Sequence, residues 1–266
     1  MKKKLRLVLL LLSASVFLFS GWKLAVILLS YQESTNSYSA LSQYVSFETL
    51  PPAPQTVPTV PDSTVPTEEP APDVSRWPQV NFEALSRINP DIVGWICIEG
   101  TNINYPIVQG DDNDYYLDHL FDGKRNRSGS IFLDSRCDPY FYDRHSIIYG
   151  HHLKDGTMFT RLMRYKKQAF YDEHSVILLV TPTAYYQIRV FSGYVSNNQA
   201  SAWDLELDDE AHAAWLEEIR EKSCFQTDYA PGPDTPIITL STCTYEFDNA
   251  KFVLHGYIEE AIEKEP

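Results

Sequence analysis

The chain has 266 residues, of which 44% are hydrophobic and 22% charged, and a formal charge of −14. Residues 1–30 hold five Lys/Arg and no Asp/Glu, which leaves −19 on the remainder. So acidic a surface excludes nucleic acid as a partner, because phosphate neutralisation needs basic clusters that are absent, and it reads as a solvated, solubilising face.

The chain opens with MKKKLRLVLLLLSASVFLFSGWKLAVILLS. Lys2, Lys3, Lys4 and Arg6 precede an apolar run from Leu7 to Leu29, interrupted by Gly21, Lys23 and small serines. About twenty apolar residues span a bilayer core. The basic start places the N-terminus in the cytoplasm and the rest outside, a single-pass arrangement in the cell membrane. A cleaved signal peptide is the alternative, with Ser13-Ala14-Ser15 as its site. The run continues beyond that site as VFLFSGW and LAVILL, which fits an uncleaved anchor over 1–30. Lys23 lies near the outer end, where its stem can snorkel to the headgroups.

From Tyr31 to Trp77 the composition changes. PPAPQTVPTVPDSTVPTEEPAP has no apolar periodicity, and its prolines favour extended, polyproline-like backbone. Residues 31–77 are therefore expected to form an extracellular stalk, with a proline-rich ligand for a partner as the minor alternative.

The folded domain is expected over 78–262. VNFEALSRINP has Phe82, Leu85 and Ile88 at helical spacing, with Asn89-Pro90 as a stop. Apolar and β-branched runs punctuated by turn residues predict strands at 92–98, 103–108, 129–134, 146–152, 175–181, 184–195, 236–243 and 251–258. A short helix is expected around Met158 to Tyr165. DLELDDEAHAAWLEEIREKS predicts a longer one, with acids first, Arg220 and Lys222 last, and an apolar stripe of Ala211, Ala214, Trp215, Leu216 and Ile219. Many short strands with few helices predict a mainly β barrel or sandwich as one domain.

Cys97, Cys137, Cys224 and Cys243 permit two disulfides in an exported chain without requiring them, since about two hundred residues bury a core unaided. No CxxC pair occurs, so no zinc ribbon is expected, and no metal or cofactor is implied. His151 and His152 end the strand SIIYGHH, where alternation sends their side chains to opposite faces and argues against a joint metal site. In PIITLSTC, Cys243 closes a strand whose polar face includes Thr239 and Ser241. Lys251 opens the next strand, so antiparallel pairing would set a cation beside the thiol, as a reactive cysteine requires.

TLSTC followed by a basic residue and FVLHG resembles the signature of the sortases, the Gram-positive surface cysteine transpeptidases. SIIYGHHLKDGTMF resembles the histidine segment of their class B branch. The likeness extends through INPDIVGWICIEGTNINYPIVQGDDNDYYLDHLF and GSIFLD, and covers 80–258. It implies a closed β-barrel of about eight strands with a few peripheral helices, preceded by the membrane helix and the stalk. It also implies Cys243 as nucleophile and His151 as general acid/base. Ser241, Thr242 and Thr244 would contact substrate. Lys251 stands where the family has an arginine, keeping the charge but losing the planar fork.

The implied reaction begins with attack of the Cys243 thiolate on a Thr–X bond in the sorting signal of a secreted protein. His151 protonates the leaving amine, and a thioester results. An amine of a lipid-linked cell-wall precursor, or a pilin lysine, then resolves it. Lys251 and backbone N–H groups after Cys243 would stabilise the oxyanion, with Arg189 and Arg136 as the next candidate cations. Three alternatives stand beside this reading. One is a cysteine peptidase releasing product to water. Another is a weakly active or binding-only homologue, on account of Lys251. The last is an adhesin with Cys243 in a disulfide.

Overall fold

The computed structural model describes residues 2–47, 74–197 and 201–264. The proline-rich centre of the expected stalk, at 51–72, lies outside them. Helix α1, Lys2–Leu41, is 40 residues long, about 60 Å at the usual helical rise. Its first part, Leu5 to Leu29, exposes large apolar side chains and is long and apolar enough to cross a membrane.

The helix does not stop where the composition changes at Tyr31. It continues through YQESTNSYSAL because this segment packs on the domain. The Tyr38 ring meets Tyr105 edge-on, and its hydroxyl donates to the Gly129 carbonyl at 2.8 Å. Ser30 donates to Asn126 at 3.0 Å. Strand β1, Val45–Ser46, then pairs with β2, Gln79–Val80, across the undescribed segment. Trp77 is buried, with its indole N–H on the Tyr186 carbonyl at 3.2 Å. Both ends of the expected stalk are thus tied into the domain.

Helix α2, Phe82–Ser86, is capped by the Asn81 side chain, which accepts from the Ala84 N–H. The remaining strands are β3 Ile92–Cys97, β4 Asn104–Val108, β5 Ile131–Leu133, β6 His145–Tyr149, β7 Val176–Val180, β8 Ala184–Asn197, β9 Ile237–Cys243 and β10 Ala250–Glu263. They close into an eight-stranded barrel in the order β10-β8-β7-β3-β4-β5-β6-β9, with β9 returning to β10. Closure leaves no free sheet edge. All the pairs are antiparallel except β4–β5 and β6–β9. A parallel pair needs a long crossover, and that of β6–β9 carries β7, β8 and most of the peripheral helix.

The barrel interior is filled by Ile96, Ile107, Ile131, Ile148, Leu179, Ile188, Leu240, Phe252 and Leu254 among others. Met158 has φ 53 and cannot begin a helix. A 3₁₀ segment at Phe159–Lys166 and helix α3, Gln168–Glu173, follow it. Helix α4, Asp209–Glu221, starts at Asp208, whose side chain accepts from the Ala211 N–H at 2.8 Å. It packs Trp215, Leu216 and Ile219 against Phe191, Tyr194, Ile237 and Val253. Its buried face takes His212 and leaves Ala214 exposed, the one member of the expected stripe found on the solvent side.

Candidate active site

Three strands bring the candidate residues to one end of the barrel. In the β9–β10 hairpin Cys243 pairs directly with Lys251, and the Lys251 Nζ donates to Cys243 Sγ at 3.0 Å. Both side chains are half-buried. An ammonium aimed at a sulfur is the arrangement that favours a nucleophilic thiolate. The hairpin loop is tight: the Thr244 N–H donates to the Ala250 carbonyl at 3.0 Å, and the Ala250 N–H to Phe247 at 3.2 Å. Asn249 takes a left-handed φ of 62°. The first backbone N–H after Cys243 is thereby committed to the hairpin and is not free for an oxyanion.

On the other side, β6 runs parallel to β9, with Tyr149 opposite Ser241 and the Gly150 N–H on the Ser241 carbonyl at 3.1 Å. Continuing that register by two residues sets His151 level with Cys243. The strand itself ends at Tyr149, so the alternation argued for His151 and His152 does not reach them. The His151 Nε2–H donates to the Leu117 carbonyl at 2.7 Å, which leaves Nδ1 as the ring's other nitrogen. Among the described residues no hydrogen bond joins His151 to Cys243. The His152 Nδ1–H donates to the Cys243 carbonyl at 3.0 Å, and its ring lies 5.1 Å from that of Tyr245. Both histidines therefore lie at this corner, one level with Cys243 in register and one on the Cys243 carbonyl.

Gly129 makes room for the His151 ring, and Gly150 for the core side chains packed just before it. A Cβ on Gly129, at φ 58, would come within 2.7 Å of the Tyr116 and Leu117 carbonyl oxygens and 3.0 Å of the His151 ring. A Cβ on Gly150 would meet Ile131 at 2.5 Å and Phe159 at 2.6 Å. Leu117 and Gly129 are thus part of the site although neither carries chemistry, and no sequence pattern singles out a carbonyl as a histidine's partner. Trp203 belongs to the site as well, without a sequence signal of its own: its indole N–H donates to Ser241 Oγ at 3.3 Å.

The expected substrate-contact residues are less open than their composition suggests. Ser241, Thr242 and Thr244 are 3%, 2% and 7% exposed. Ser241 lies under Trp203, and Thr242 Oγ1 is enclosed without a partner. Ser241 is covered by Trp203, and Thr242 leaves the same face as the core residues Ile238 and Leu240, so the half-open group at the end of the strand is Cys243. The fallback cations are elsewhere engaged. Arg189 forms an ion pair with Glu259 at 2.8 Å, and Arg136 with Asp134 at 2.8 Å.

All four cysteines are free thiols, which removes the disulfide-bridged reading of Cys243. Burial pushes the Cys97 and Cys137 thiols up to about 11, and raises that of Cys224, which also donates to the Tyr165 carbonyl at 3.7 Å. A thiol facing an ammonium, with an imidazole at its level, is equipped for nucleophilic acyl transfer through a thioester.

The chain is similar to known proteins of one family. A model of the sortase domain matches residues 96–259. Sortase B of Listeria monocytogenes serovar 1/2a is 32% identical over 244 residues, 91% of either chain. The solved Staphylococcus aureus sortase B–substrate complex is 35% identical, with a TM-score of 0.64 over 69% of this chain and 85% of that one. A structure of sortase B complexed with triglycine is 36% identical, with a TM-score of 0.63 over 69% of this chain and 86% of that one.

Proposed function

The chain belongs to the sortase family, in its class B branch, and from that premise we propose that it is a membrane-anchored transpeptidase acting on sorting signals of secreted proteins. Cys243 attacks the carbonyl of a Thr–X bond. His151 protonates the departing amine, and the acyl group rests on sulfur as a thioester. An amine then takes it, either from a lipid-linked peptidoglycan precursor or from a pilin lysine. Relatives have been captured with substrate and with triglycine, which supports a peptide donor and an amine acceptor.

The observation that carries the reading is the 3.0 Å contact between Lys251 Nζ and Cys243 Sγ. The same ammonium would face the oxyanion as it develops on the acyl carbon, supplying as a point charge what an arginine supplies as a fork. Ser241, on the nucleophile's face of the strand, would underlie the bound signal once Trp203 yields. We assign residues 1–30 to the anchor, with the N-terminus cytoplasmic, 31–77 to the connection and 78–262 to the extracellular catalytic domain. The packing of α1 beyond residue 30 supports a connection that begins as a helix held on the domain.

The test is a fluorogenic panel of sorting peptides incubated with and without an added amine, read by mass. Transfer product in the presence of amine, absent in Cys243→Ala, is expected. Hydrolysis alone, unchanged by amine, would favour a peptidase.

A further inference from the structure

We propose that Lys251 is itself a modification site: an acyl group held on Cys243 migrates to the Lys251 amine and is trapped there as an amide. The inference rests on the reading of Cys243 as the acylated nucleophile, and it concerns what this chain's lysine adds to that chemistry.

The Lys251 Nζ sits 3.0 Å from Cys243 Sγ. The two residues are direct partners in the β9–β10 ladder, so their side chains leave the same face of the pair. The contact is built into the register. Hydrogen bonds from the Thr244 and Ala250 N–H groups close the loop between them, and β6 and β8 flank the hairpin. Rotation about the Cβ–Sγ bond can bring a carbonyl carbon bonded to that sulfur to the separation of about 3–3.5 Å from which intramolecular attack proceeds. Among the described lysines, no other contacts Cys243. Lys166 is ion-paired to Glu246. An arginine at 251 would be inert, because its guanidinium stays protonated and delocalised, whereas a lysine that loses its proton is a nucleophile.

The step is balanced without a co-reactant. Once the Lys251 ammonium has given a proton to water, the lone pair of the resulting amine forms a bond to the thioester carbon. The carbon–sulfur bond breaks, and Cys243 leaves with the electron pair as a thiolate. The surplus proton on nitrogen passes to that thiolate or to water. The amide is more stable than the thioester, so the transfer is one-way. It removes the cation beside Cys243 and fills the site with the acyl chain. A protein short of acceptor amine thereby switches itself off, while a plentiful acceptor outcompetes the internal lysine.

The test loads native protein by exchange with a peptide α-thioester ending in threonine. Intact mass is recorded before and after hydroxylamine, which cleaves thioesters and spares amides. The expected result is an adduct that survives hydroxylamine, maps to Lys251, grows as activity is lost and is suppressed by added amine. Lys251→Arg should acquire only the labile adduct and, whatever its initial rate, show no progressive loss of that rate over the time in which the native protein declines. Cys243→Ala should acquire none. A native adduct removed entirely by hydroxylamine overturns the proposal and leaves Cys243 as nucleophile. An equally stable Lys251 adduct in Cys243→Ala overturns migration in favour of direct acylation. No adduct of either kind on native protein, with its free thiols counted, overturns the Cys243 reading and this inference together.

Discussion

Strands β6, β9 and β10 carry two clusters of histidine with a hydroxyl or thiol, and the two have opposite characters. Away from the open end the groups form one directed chain. The His255 Nδ1–H donates to Thr239 Oγ1 at 2.8 Å, the Thr239 hydroxyl to His145 Nε2 at 2.7 Å, and the His145 Nδ1–H to the Asp204 carbonyl at 2.8 Å. Trp215 of α4 packs on both rings, 4.7 Å from His145 and 5.8 Å from His255. Burial brings His145 down to about 4 and pushes His255 well below the ordinary imidazole value. These imidazoles are neutral and hold parts together. At the strand ends, where the ladders stop and α4 does not cover them, Cys243, Lys251, His151 and His152 are half-open to solvent. The same residue types are structural under a helix and available for chemistry beyond it.

The largest expected effect tests the open cluster. Cys243→Ala should abolish cleavage and transfer with an unchanged melting temperature, since a methyl replaces a half-exposed thiol and little packing is lost. Lys251→Ala should come close to that loss, because no second cation among the described residues faces the sulfur. Native-like turnover in this variant would mean that the ammonium is dispensable. His151→Ala should lower the rate by about 10²–10⁴, the usual contribution of a general acid. His152→Ala removes one hydrogen bond to the Cys243 carbonyl and should cost no more than about tenfold. If these two histidine effects were reversed, the acid/base assignment would move to His152.

The buried cluster should answer to pH and not to turnover assays. Its histidines have folded values below the unfolded value near 6.5, so the unfolded chain binds protons that the folded one does not. Stability is then complete above about pH 6.5 and falls as the pH drops towards 4, by on the order of 3 kcal/mol for His145. Urea unfolding of native protein and His145→Gln at neutral and mildly acid pH checks this. The variant should show the flatter dependence, and equal slopes would contradict a neutral buried His145. The smallest effect expected is a gain. Lys251→Arg restores a two-pronged donor and should raise steady-state transfer roughly tenfold, about 1.4 kcal/mol.

Much of this contrast was legible in the sequence, and its missing parts have physical causes. The eight barrel strands follow from β-branched alternation between turn residues, and the Cys243–Lys251 pairing follows from a hairpin of known length. Alternation could not treat His151 and His152, because it holds only while a strand lasts and β6 ends at Tyr149. The helix beyond Tyr31 was hidden because its sequence is polar and its order comes from Tyr38 packing on Tyr105 and Gly129. His212 is buried where an apolar stripe placed Ala214. Burial of Ser241 and Thr242 could not be read from their polarity, since it depends on what packs on the two faces of β9. Nothing in a linear pattern says which stretch of β6, β9 and β10 a distant helix will cover.

The most direct measurement is residue-resolved alkylation of the native protein by limiting iodoacetamide at neutral pH, read by mass for all four cysteines. The account predicts that Cys243 reacts far ahead of Cys97 and Cys137, whose thiols burial holds in the unreactive protonated form. Cys243 should also lead Cys224, an exposed residue whose thiol donates to the Tyr165 carbonyl and, among the described residues, faces no ammonium at hydrogen-bond distance. Its lead should collapse in Lys251→Ala. If Cys224 reacted as fast as Cys243, or if Cys243 were unaffected by loss of Lys251, the claim that this strand end holds an activated nucleophile would be contradicted.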